Sequence, residues 1–284
     1  MRYLEIKNKI QKQYNTLPKN HRKLADFVID HLDQIPFLSV QDISTRAGGS
    51  VASVVRFAQR TGFSGYSQMR EEIATALKSQ LQARAIFPLF NQKSIDEDIL
   101  TAVANQETKN INDTLHMVER MAFNKLINDI LKAERVFTAG LGISNLLSQM
   151  LAYQLNQVGV DAYAMKHDYV TFLEQLLFVK PADMIIAFSF PPYSKETIDA
   201  AEFARKKKVK VFSITNRNAS PITFFSDHNL VVTSKNMLFT NSFSAISVLI
   251  NAISTGCAMN DKKRAEKMVE SFNEIMKIQK QVIL

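Results

Sequence analysis

The chain has 284 residues, of which 46% are hydrophobic, and a formal net charge of +8. This length is ample for two domains with separate cores. A single cysteine excludes an intramolecular disulfide, and the polar start of the chain lacks the apolar core of a signal peptide, so we expect a cytoplasmic protein. The longest apolar stretch, 237–253, is interrupted by five Asn and Ser residues, which argues against a membrane span.

Basic residues are concentrated in the first third of the chain. Up to residue 90 there are 13 Lys and Arg residues against 7 Asp and Glu, whereas the remainder carries 22 against 20. Contact with nucleic-acid phosphates requires such an excess of positive charge, although an excess of this size is also common in soluble proteins. The charge distribution therefore supports a nucleic-acid-binding N-terminal domain without establishing one.

Helical patterns fill the first 80 residues. The segment 18–31 has apolar residues at helical spacing behind a basic first turn, which predicts one helix. Ser39 is a favourable N-cap and Asp42 is the acidic partner of a capping box, so a second helix is predicted over 40–47, where a pair of glycines ends it. Another helix is predicted to follow this motif and to end near Leu77.

A further helix is predicted between Ser50, which is a second N-cap, and Gly62. Two short helices around a glycine turn are typical of a helix-turn-helix, whose second helix enters the major groove of DNA. An αα-hairpin inside a helical core has the same spacing and is the structural alternative. The predicted apolar side of this helix consists of Val51, Val54, Val55 and Ala58.

The run from Leu17 to Ile73 is similar to the DNA-binding domain of RpiR-type bacterial transcription regulators. The recognition helix of that family commonly reads S-x-A-T-V-x-R-F before Leu-Gly-Phe; here Ser53 stands at the Thr position, and Arg56-Phe57 matches. The resemblance implies that this helix binds double-stranded operator DNA. The residues expected in the groove are Ser50, Val51, Ser53 and Arg56, and those expected on phosphates are Arg60 and Arg46.

The helical periodicity fades between Leu81 and Ser94, where Pro88 interrupts it, and this stretch is predicted to join two domains. Helices are then predicted at 95–117 and 123–131, of which the first could equally pack against a partner chain. The predicted division of the chain is a helix-turn-helix domain (1–80), a linker with the helices that follow it (81–127), and a ligand-sensing domain (128–284).

From residue 135 onward, short apolar strands alternate with helices. Such alternation implies βαβ crossovers and a parallel sheet with helices on both faces. The predicted fold class is therefore an all-α domain followed by an α/β domain of three layers. The predicted strands are 135–140, 161–165, 183–188, 209–215 and 227–232, and the predicted helices are 145–158, 169–178 and 196–207.

A first candidate ligand loop, Gly140-Leu141-Gly142-Ile143-Ser144, follows the first strand, where parallel sheets bind ligands. Gly142 lets the backbone approach an anion, and Ser144 offers a hydroxyl at a helix N-terminus. Asn145 replaces the third glycine of G-x-G-x-x-G, and the sequence has no Gly-Lys-Ser/Thr motif. We therefore predict no cofactor and no metal site.

A second loop, residues 189–196, again places hydroxyl groups ahead of a helix. Together with the first loop it is similar to the SIS (sugar isomerase) domain that follows the DNA-binding domain in RpiR-type regulators, over roughly 130–253. In that family the second loop usually reads S-x-S-G-x-T and holds the phosphate of a phosphosugar. The resemblance implies an effector site that includes Gly142, Ser144, Ser189, Ser194 and His167, and Lys195 is added to it for its positive charge.

The second loop departs from the family pattern. Pro191 and Pro192 replace the second Ser and the Gly, so a hydroxyl and two backbone N–H donors are lost and the loop is stiffened. Lys195 supplies positive charge if it points inward, and His167 is either a ligand contact or an exposed loop residue. Three interpretations stay open: an anionic sugar derivative as ligand, a different small metabolite, or a structural dimerisation domain.

Two further groups have both a functional and a structural interpretation. Asn241, Ser242 and Ser244 begin a predicted helix, and they either line the ligand site or cap that helix. Cys257 lies in an apolar helical run, which favours a buried structural cysteine over a nucleophile.

We interpret the chain as a DNA-binding transcription regulator whose small-molecule effector modulates operator binding. The resemblance implies that SIS domains pair, which gives a homodimer or a homotetramer. The alternative is an enzyme, a phosphosugar isomerase with an accessory helical domain; Glu174, Glu196 and His167 are its candidate bases, and none lies in a catalytic pattern. A third interpretation is an adaptor that dimerises without DNA or ligand.

Overall fold

The computed structural model describes residues 2–32, 34–85, 98–236 and 240–279. The chain divides into two compact units, Met1–Pro88 and Leu89–Leu284. Within the described residues, no helix combines the length and the apolar character needed to cross a membrane. The described helices of the first unit are α1 (Arg2–Gln13), α2 (Lys19–Asp30), α3 (Val40–Arg46), α4 (Val51–Arg60) and α5 (Tyr66–Ala85), with short 3₁₀ turns at Tyr14–Thr16 and Ile35–Phe37.

The first unit is helical, as predicted, and its helix starts follow the predicted caps. The backbone N–H of Asp42 donates to Ser39 Oγ over 3.1 Å, and Asp42 Oδ2 accepts from the backbone N–H of Ser39 over 2.8 Å, which confirms the capping box. Helix α5 runs to Ala85, beyond the predicted end at Leu77, because the residues after Leu77 are mostly strong helix formers.

The described part of the second unit starts with two helices and continues as alternating strands and helices. The predicted helix over 95–117 is observed from Ile99, and residues 95–97 lie outside the described part of the chain. The described elements are α6 (Ile99–Met117), α7 (Arg120–Lys132), β1 (Val136–Ala139), α8 (Ile143–Gln157), β2 (Ala162–Ala164), α9 (Phe172–Gln175), β3 (Met184–Ser189), α10 (Lys195–Lys206), β4 (Lys210–Thr215), β5 (His228–Val231), α11 (Ser244–Asn260) and α12 (Lys262–Gln279), with a 3₁₀ turn at Pro221–Phe225.

The five strands form one parallel sheet in the order β2-β1-β3-β4-β5, which confirms the predicted α/β architecture. Helices α7, α8 and α11 cover one face and share a large apolar core with the strands. Helix α10 covers the other face and approaches closely because it buries Ala200, Ala201 and Ala204 against β3 and β4. Cys257 of α11 is buried, as expected of a structural cysteine.

An ion pair fixes β1 beside β3 at the amino ends of the two strands. Arg135 donates from Nε to Asp183 Oδ1 over 3.0 Å and from Nη2 to Asp183 Oδ2 over 2.6 Å. Asp183 is almost fully buried and also accepts from the backbone N–H of Lys180 over 2.8 Å. This bidentate ion pair holds β1 and β3 side by side at their amino ends, and the two ligand loops follow the carboxyl ends of the same strands.

The predicted helix over 169–178 is wrong in its extent, because α9 has only four residues. After α9, the backbone carbonyls accept hydrogen bonds from distant side chains. Lys207 Nζ donates to the carbonyl of Leu177 over 2.6 Å, and Arg135 Nη2 donates to the carbonyl of Phe178 over 3.2 Å. Helix α12 has no counterpart among the predicted elements.

Candidate DNA-binding surface and effector site

Helix α4 begins at an ordered cap. Ser50 Oγ accepts a hydrogen bond from the backbone N–H of Ser53 over 3.2 Å, and the two hydroxyl oxygens lie 2.9 Å apart. Gly48, in the turn between α3 and α4, has φ +68°, a conformation that glycine adopts without strain. The sequence thus sets both the turn and the start of the second helix.

One face of α4 is buried and the other is exposed. Val54, Phe57 and Ala58 are fully buried, whereas Val51 is 38% exposed. The predicted apolar side was therefore wrong in including Val51 and in omitting Phe57, because the helix is rotated so that Phe57 points into the core. The groove prediction for Val51 remains compatible with this exposure. The other exposed residues of α4 are Ala52, Arg56, Gln59 and Arg60, with Ser53 half-buried, and Arg46 at the end of α3 is also half-buried.

The electrostatics of this surface are positive. His21 of α2 is buried with its ring edge-on to that of Phe57, at a centroid distance of 6.4 Å. Burial lowers the pKa of His21, and the positive charges of Arg60 and Arg56 lower it further. Arg56 and Arg60 therefore present positive charge to solvent and also lower the pKa of His21, which lies on the buried side of α4.

The carboxyl end of α4 is held by the first helix of the chain. Lys9 Nζ donates to the carbonyl of Gly62 over 2.8 Å and lies 4.0 Å from the ring centroid of Phe63. Gly62 has φ +87°, and a Cβ atom there would lie 2.9 Å from Lys9 Cε. The positive φ favours glycine where α4 ends, and any other residue there would also displace the end of the Lys9 side chain.

The two predicted ligand loops meet at the carboxyl edge of the sheet. Strands β1 and β3 are neighbours, and Ala139 pairs with Ala187. From β1 the chain continues to β2 on one side of the sheet, and from β3 it continues to β4 on the other side, so the order in which strands are added reverses between β1 and β3. Ligands of open parallel sheets bind in the crevice at such a switch point.

The first loop brings backbone close to the start of α8. A Cβ atom at Gly140 would lie 2.6 Å from the carbonyl oxygen of Ser144, so only glycine fits there. Gly142 has φ +62° and is the N-cap residue of α8. Ser144 is buried in the first turn of this helix. Both residues therefore lie at the predicted edge of the sheet.

The second loop combines buried hydroxyl groups with a capped helix. Ser189 at the end of β3 is buried, and its Oγ, like Thr197 Oγ1 in α10, has no hydrogen-bond partner among the described residues. Ser194 caps α10 by accepting from the backbone N–H of Thr197 over 3.2 Å. Lys195 does not point inward: its ammonium group is exposed and pairs with Asp199 over 2.5 Å.

His167 is half-exposed and bonds to the start of α10. Its Nδ1 lies 2.7 Å from Glu196 Oε2 and 2.9 Å from Oε1, and Oε1 also accepts from the backbone N–H of Phe172 over 2.9 Å. Glu196 thus ties the segment after β2 to the second ligand loop. His167 follows β2, and its Nδ1 is hydrogen-bonded to the Glu196 carboxylate.

Side chains outside the predicted site hold the second loop in place. The hydroxyl of Tyr193 bonds to Asn216 and Arg217, which follow β4, and Asn241 Nδ2 donates to the carbonyl of Pro191 over 2.6 Å. The cap of α11 is Phe243, with no side-chain cap bond, so helix capping does not account for Asn241 and its neighbours.

Comparison with known proteins matches both parts of the chain. Residues 4–80 match the model of the helix-turn-helix domain of the rpiR family, and residues 129–255 match that of the SIS domain. Together the two matches span more than two thirds of the chain. This chain belongs to the rpiR family of transcription regulators.

Curated relatives of this rpiR-family chain are also regulators. It is 25% identical over 232 residues to an HTH-type transcriptional regulator of Haemophilus influenzae, covering 80% of this chain and 79% of the relative. It is 27% identical over 225 residues to the HTH-type transcriptional regulator YfhH of Escherichia coli, covering 78% of this chain and 79% of the relative. The chain is therefore a transcriptional regulator with a helix-turn-helix domain and a SIS domain.

Solved structures support the fold of this rpiR-family chain. The sugar isomerase domain of an RpiR transcription factor from Sphaerobacter thermophilus aligns with a TM-score of 0.61 at 22% identity, covering 63% of this chain and 99% of that one. The NanR protein of Vibrio vulnificus, complexed with ManNAc-6P, aligns with a TM-score of 0.61 at 21% identity, covering 96% and 98%.

The structure brings part of the predicted effector set to one edge of the sheet. Gly142, Ser144, Ser189 and Ser194 lie at the carboxyl ends of β1 and β3. Tyr193, Asn216 and Arg217 lie at the same edge and were not among the predicted site residues. The sequence signal for the last two is their position directly after β4, because every strand of a parallel sheet ends at the same edge.

Proposed function

We propose that this regulator binds double-stranded operator DNA through α4 and that an effector in its SIS domain changes the operator affinity. The observation that carries the proposal is the exposed face of α4, which presents two arginines behind an ordered cap while its other face is anchored in the core. In a helix-turn-helix, residues near the start of this helix reach base edges in the major groove.

The DNA contacts fall into two classes. Ser50, Val51, Ser53 and Arg56 are assigned to the groove, where an arginine pairs with guanine O6 and N7. Arg60 and Arg46, near the helix ends, are assigned to phosphates. A homodimer presents two such helices and a homotetramer two pairs of them, and each pair fits a pseudo-palindromic operator with half-sites about 34 Å apart or a multiple of that distance.

The effector is assigned to the anionic sugar derivatives, with phosphosugars first. The complex of Vibrio vulnificus NanR with ManNAc-6P supports this class, since NanR shares the fold of this chain. The binding residues we propose are Gly142, Ser144, Ser189 and Ser194 at the switch point, with His167 beside them. Lys195 is left out of this set because its ammonium group is exposed and pairs with Asp199. Pro191 and Pro192 remove donors from this loop, so we expect fewer phosphate contacts than the family pattern provides.

The isomerase alternative has little support in the arrangement of its candidate bases. Glu174 caps α9, and hydrogen bonds from the backbone and hydroxyl of Thr171 lower its pKa. Glu196 and His167 bond to each other. A general base works best with a pKa near the working pH and within reach of the substrate, so we propose a regulator without enzyme activity.

The proposal is tested by titrating the full-length protein onto the DNA upstream of its own gene at two salt concentrations, with and without a panel of sugar phosphates that includes N-acetylmannosamine 6-phosphate. Salt-sensitive binding that one compound alters is the expected result. Specific DNA binding that no sugar phosphate alters would retain the regulator and exclude this effector class. Absence of specific binding, together with turnover of a sugar phosphate, would instead establish the isomerase.

Substitution of the groove arginine tests the assigned contacts. Arg56→Ala is expected to weaken operator binding by about 1–3 kcal/mol and to relax specificity at one base pair. The control is Arg205→Ala, which removes a surface arginine of the SIS domain that bonds the carbonyl of Phe224 over 2.5 Å. An unchanged titration curve for Arg56→Ala would contradict the assignment of Arg56 to a base contact in the major groove.

A further inference from the structure

A row of polar side chains on α6 contacts the chain that follows β5. Glu107, Asn110 and Thr114 recur at intervals of three and four residues and so share one face of the helix. Asn110 Nδ2 donates to the carbonyl of Lys235 over 2.7 Å, and Thr114 Oγ1 accepts from the backbone N–H of Thr233 over 3.0 Å. We name Glu107, Asn110 and Thr114 the α6 stripe.

The α6 stripe also contacts the residues that precede α11. The hydroxyl of Ser242 donates a hydrogen bond to the carboxylate of Glu107. The backbone N–H of Ser242 donates to the carbonyl of Ser234 over 3.0 Å, and Ser234 Oγ donates to Asn241 Oδ1 over 3.1 Å. Ser234, Asn241 and Ser242 are therefore held to each other and to α6.

Asn241 extends these bonds to the second ligand loop. Its Oδ1 accepts from Ser234, and its Nδ2 donates to the carbonyl of Pro191 over 2.6 Å. Asn241 and Ser242 are adjacent in sequence, so the backbone connects the residue bonded to Pro191 with the residue bonded to Glu107. An unbroken set of contacts thus runs from the ligand loop to Glu107.

Because these polar groups are buried, the loss of a hydrogen-bond partner is costly. Asn110 is fully buried, and Thr114 and Ser242 are nearly so. Hydrogen bonds in such low-dielectric surroundings are stronger than in water, and the loss of one partner leaves a buried polar group unpaired. The α6 stripe therefore favours one position of the chain after β5 over neighbouring positions.

We infer that Asn241 and Glu107 are positioning residues that couple the second ligand loop to α6. Helix α6 is the first described helix of the second unit, and the chain before it leads to the helix-turn-helix. An effector that displaces the loop changes the Asn241 bond and, through Ser242 and Glu107, the position of α6. The inference rests on the proposed function, because it requires that this loop binds the effector, and it supplies the differential contact on which coupling between two sites depends.

Amide hydrogen exchange of the full-length protein, without DNA or sugar phosphate, tests the coupling. Glu107→Ala is expected to speed exchange at the amides of Phe190, Tyr193 and Ser194 about fivefold, the factor that corresponds to about 1 kcal/mol. The matched control is Lys109→Ala, an exposed position on the same helix, which is expected to leave these amides unchanged.

The position of the effect separates coupling from a local structural role. If Glu107→Ala speeds exchange only in α6 and residues 240–242, the coupling is overturned. Ser242→Ala is the milder second variant in case Glu107→Ala does not fold, and the same loop amides decide the result. If operator binding responds to N-acetylmannosamine 6-phosphate but amide exchange in the loop is unchanged in the variants, the coupling is overturned and the proposed function stands.

Discussion

The phenol hydroxyl of Tyr193 donates a hydrogen bond to Asn216 Oδ1 over 2.9 Å. Arg217 Nε donates to the same hydroxyl over 3.1 Å, and the Arg217 guanidinium lies 5.8 Å from the centroid of the Tyr193 ring. Tyr193 therefore joins the loop after β3 to the loop after β4 and holds a positive charge at the carboxyl edge of the sheet.

Removal of this hydroxyl is expected to loosen the two loops. Tyr193→Phe keeps the ring and its contact with the guanidinium but leaves Asn216 and Arg217 without their shared partner, so the free energy of unfolding of the second unit should fall by about 1 kcal/mol. Chemical denaturation measures the change. The control is Tyr153→Phe, because the Tyr153 hydroxyl accepts a hydrogen bond from Gln157 of the same helix, α8, over 2.8 Å. Equal losses in both variants would contradict the prediction.

Substitutions of the two apolar residues Phe57 and Val51 of α4 are expected to have different effects, one on stability and the other on operator binding. Phe57→Ala removes a fully buried ring and should lower the free energy of unfolding of the first unit by about 3–5 kcal/mol. Val51→Ala at the exposed start of the helix should leave stability nearly unchanged and weaken operator binding. Denaturation followed by far-ultraviolet circular dichroism measures the first effect and operator titration the second. A marked loss of stability in Val51→Ala would place that side chain in the core.

The stability of the first unit is expected to fall in mild acid because of His21. Its ordinary pKa is 6.5, and burial beside two arginines lowers the pKa in the folded state. Between the lowered value and pH 6.5 the unfolded state binds more protons, so the free energy of unfolding decreases as the pH falls through this window and is unaffected by His21 above it.

His21→Gln should remove this part of the pH dependence, as measured by thermal unfolding between pH 7.5 and pH 5. His116→Gln, at an exposed position on α6, is the matched control for loss of an imidazole. Equal slopes for the wild-type protein and His21→Gln would show that protonation of His21 is not linked to folding.

Cys257 is expected to be unreactive in the folded protein. The thiol is 1% exposed, and burial raises its pKa to about 12, so almost no thiolate forms at pH 8. A thiol-disulfide indicator reagent should react with one equivalent in denaturant and with none within minutes in its absence. Rapid reaction of the folded chain would show that α11 opens locally.

Features with a local cause were predictable from the sequence. The caps at Ser39 and Ser50 and the glycine turn act within four residues, so their residue types indicate the structure directly. The alternation of strands and helices similarly predicted a parallel sheet. The rotation of α4 was predicted less well, because Val51 and Phe57 both fit an apolar pattern and packing decides between them.

Features that depend on distant partners were not predictable. The sequence pattern contains the five strands but not their order, and the order decides which two loops meet. His167 was placed near the site by resemblance and Lys195 by its charge, yet they bond to Glu196 and Asp199, and the choice of partner depends on side-chain geometry. The contact of Glu107 with Ser242 joins positions 135 residues apart.

Helix α11 has a consequence for how this chain is made. It contributes a row of apolar side chains, from Ala245 to Cys257, to the core that α7, α8 and the strands share. Because the ribosome delivers the chain from its N-terminus, the core surface that α11 covers stays exposed until Ser244–Asn260 have been synthesised. The helix-turn-helix unit is complete long before. Nascent chains that stall before residue 244 should therefore bind chaperones through the uncovered face, while their first 85 residues are already folded.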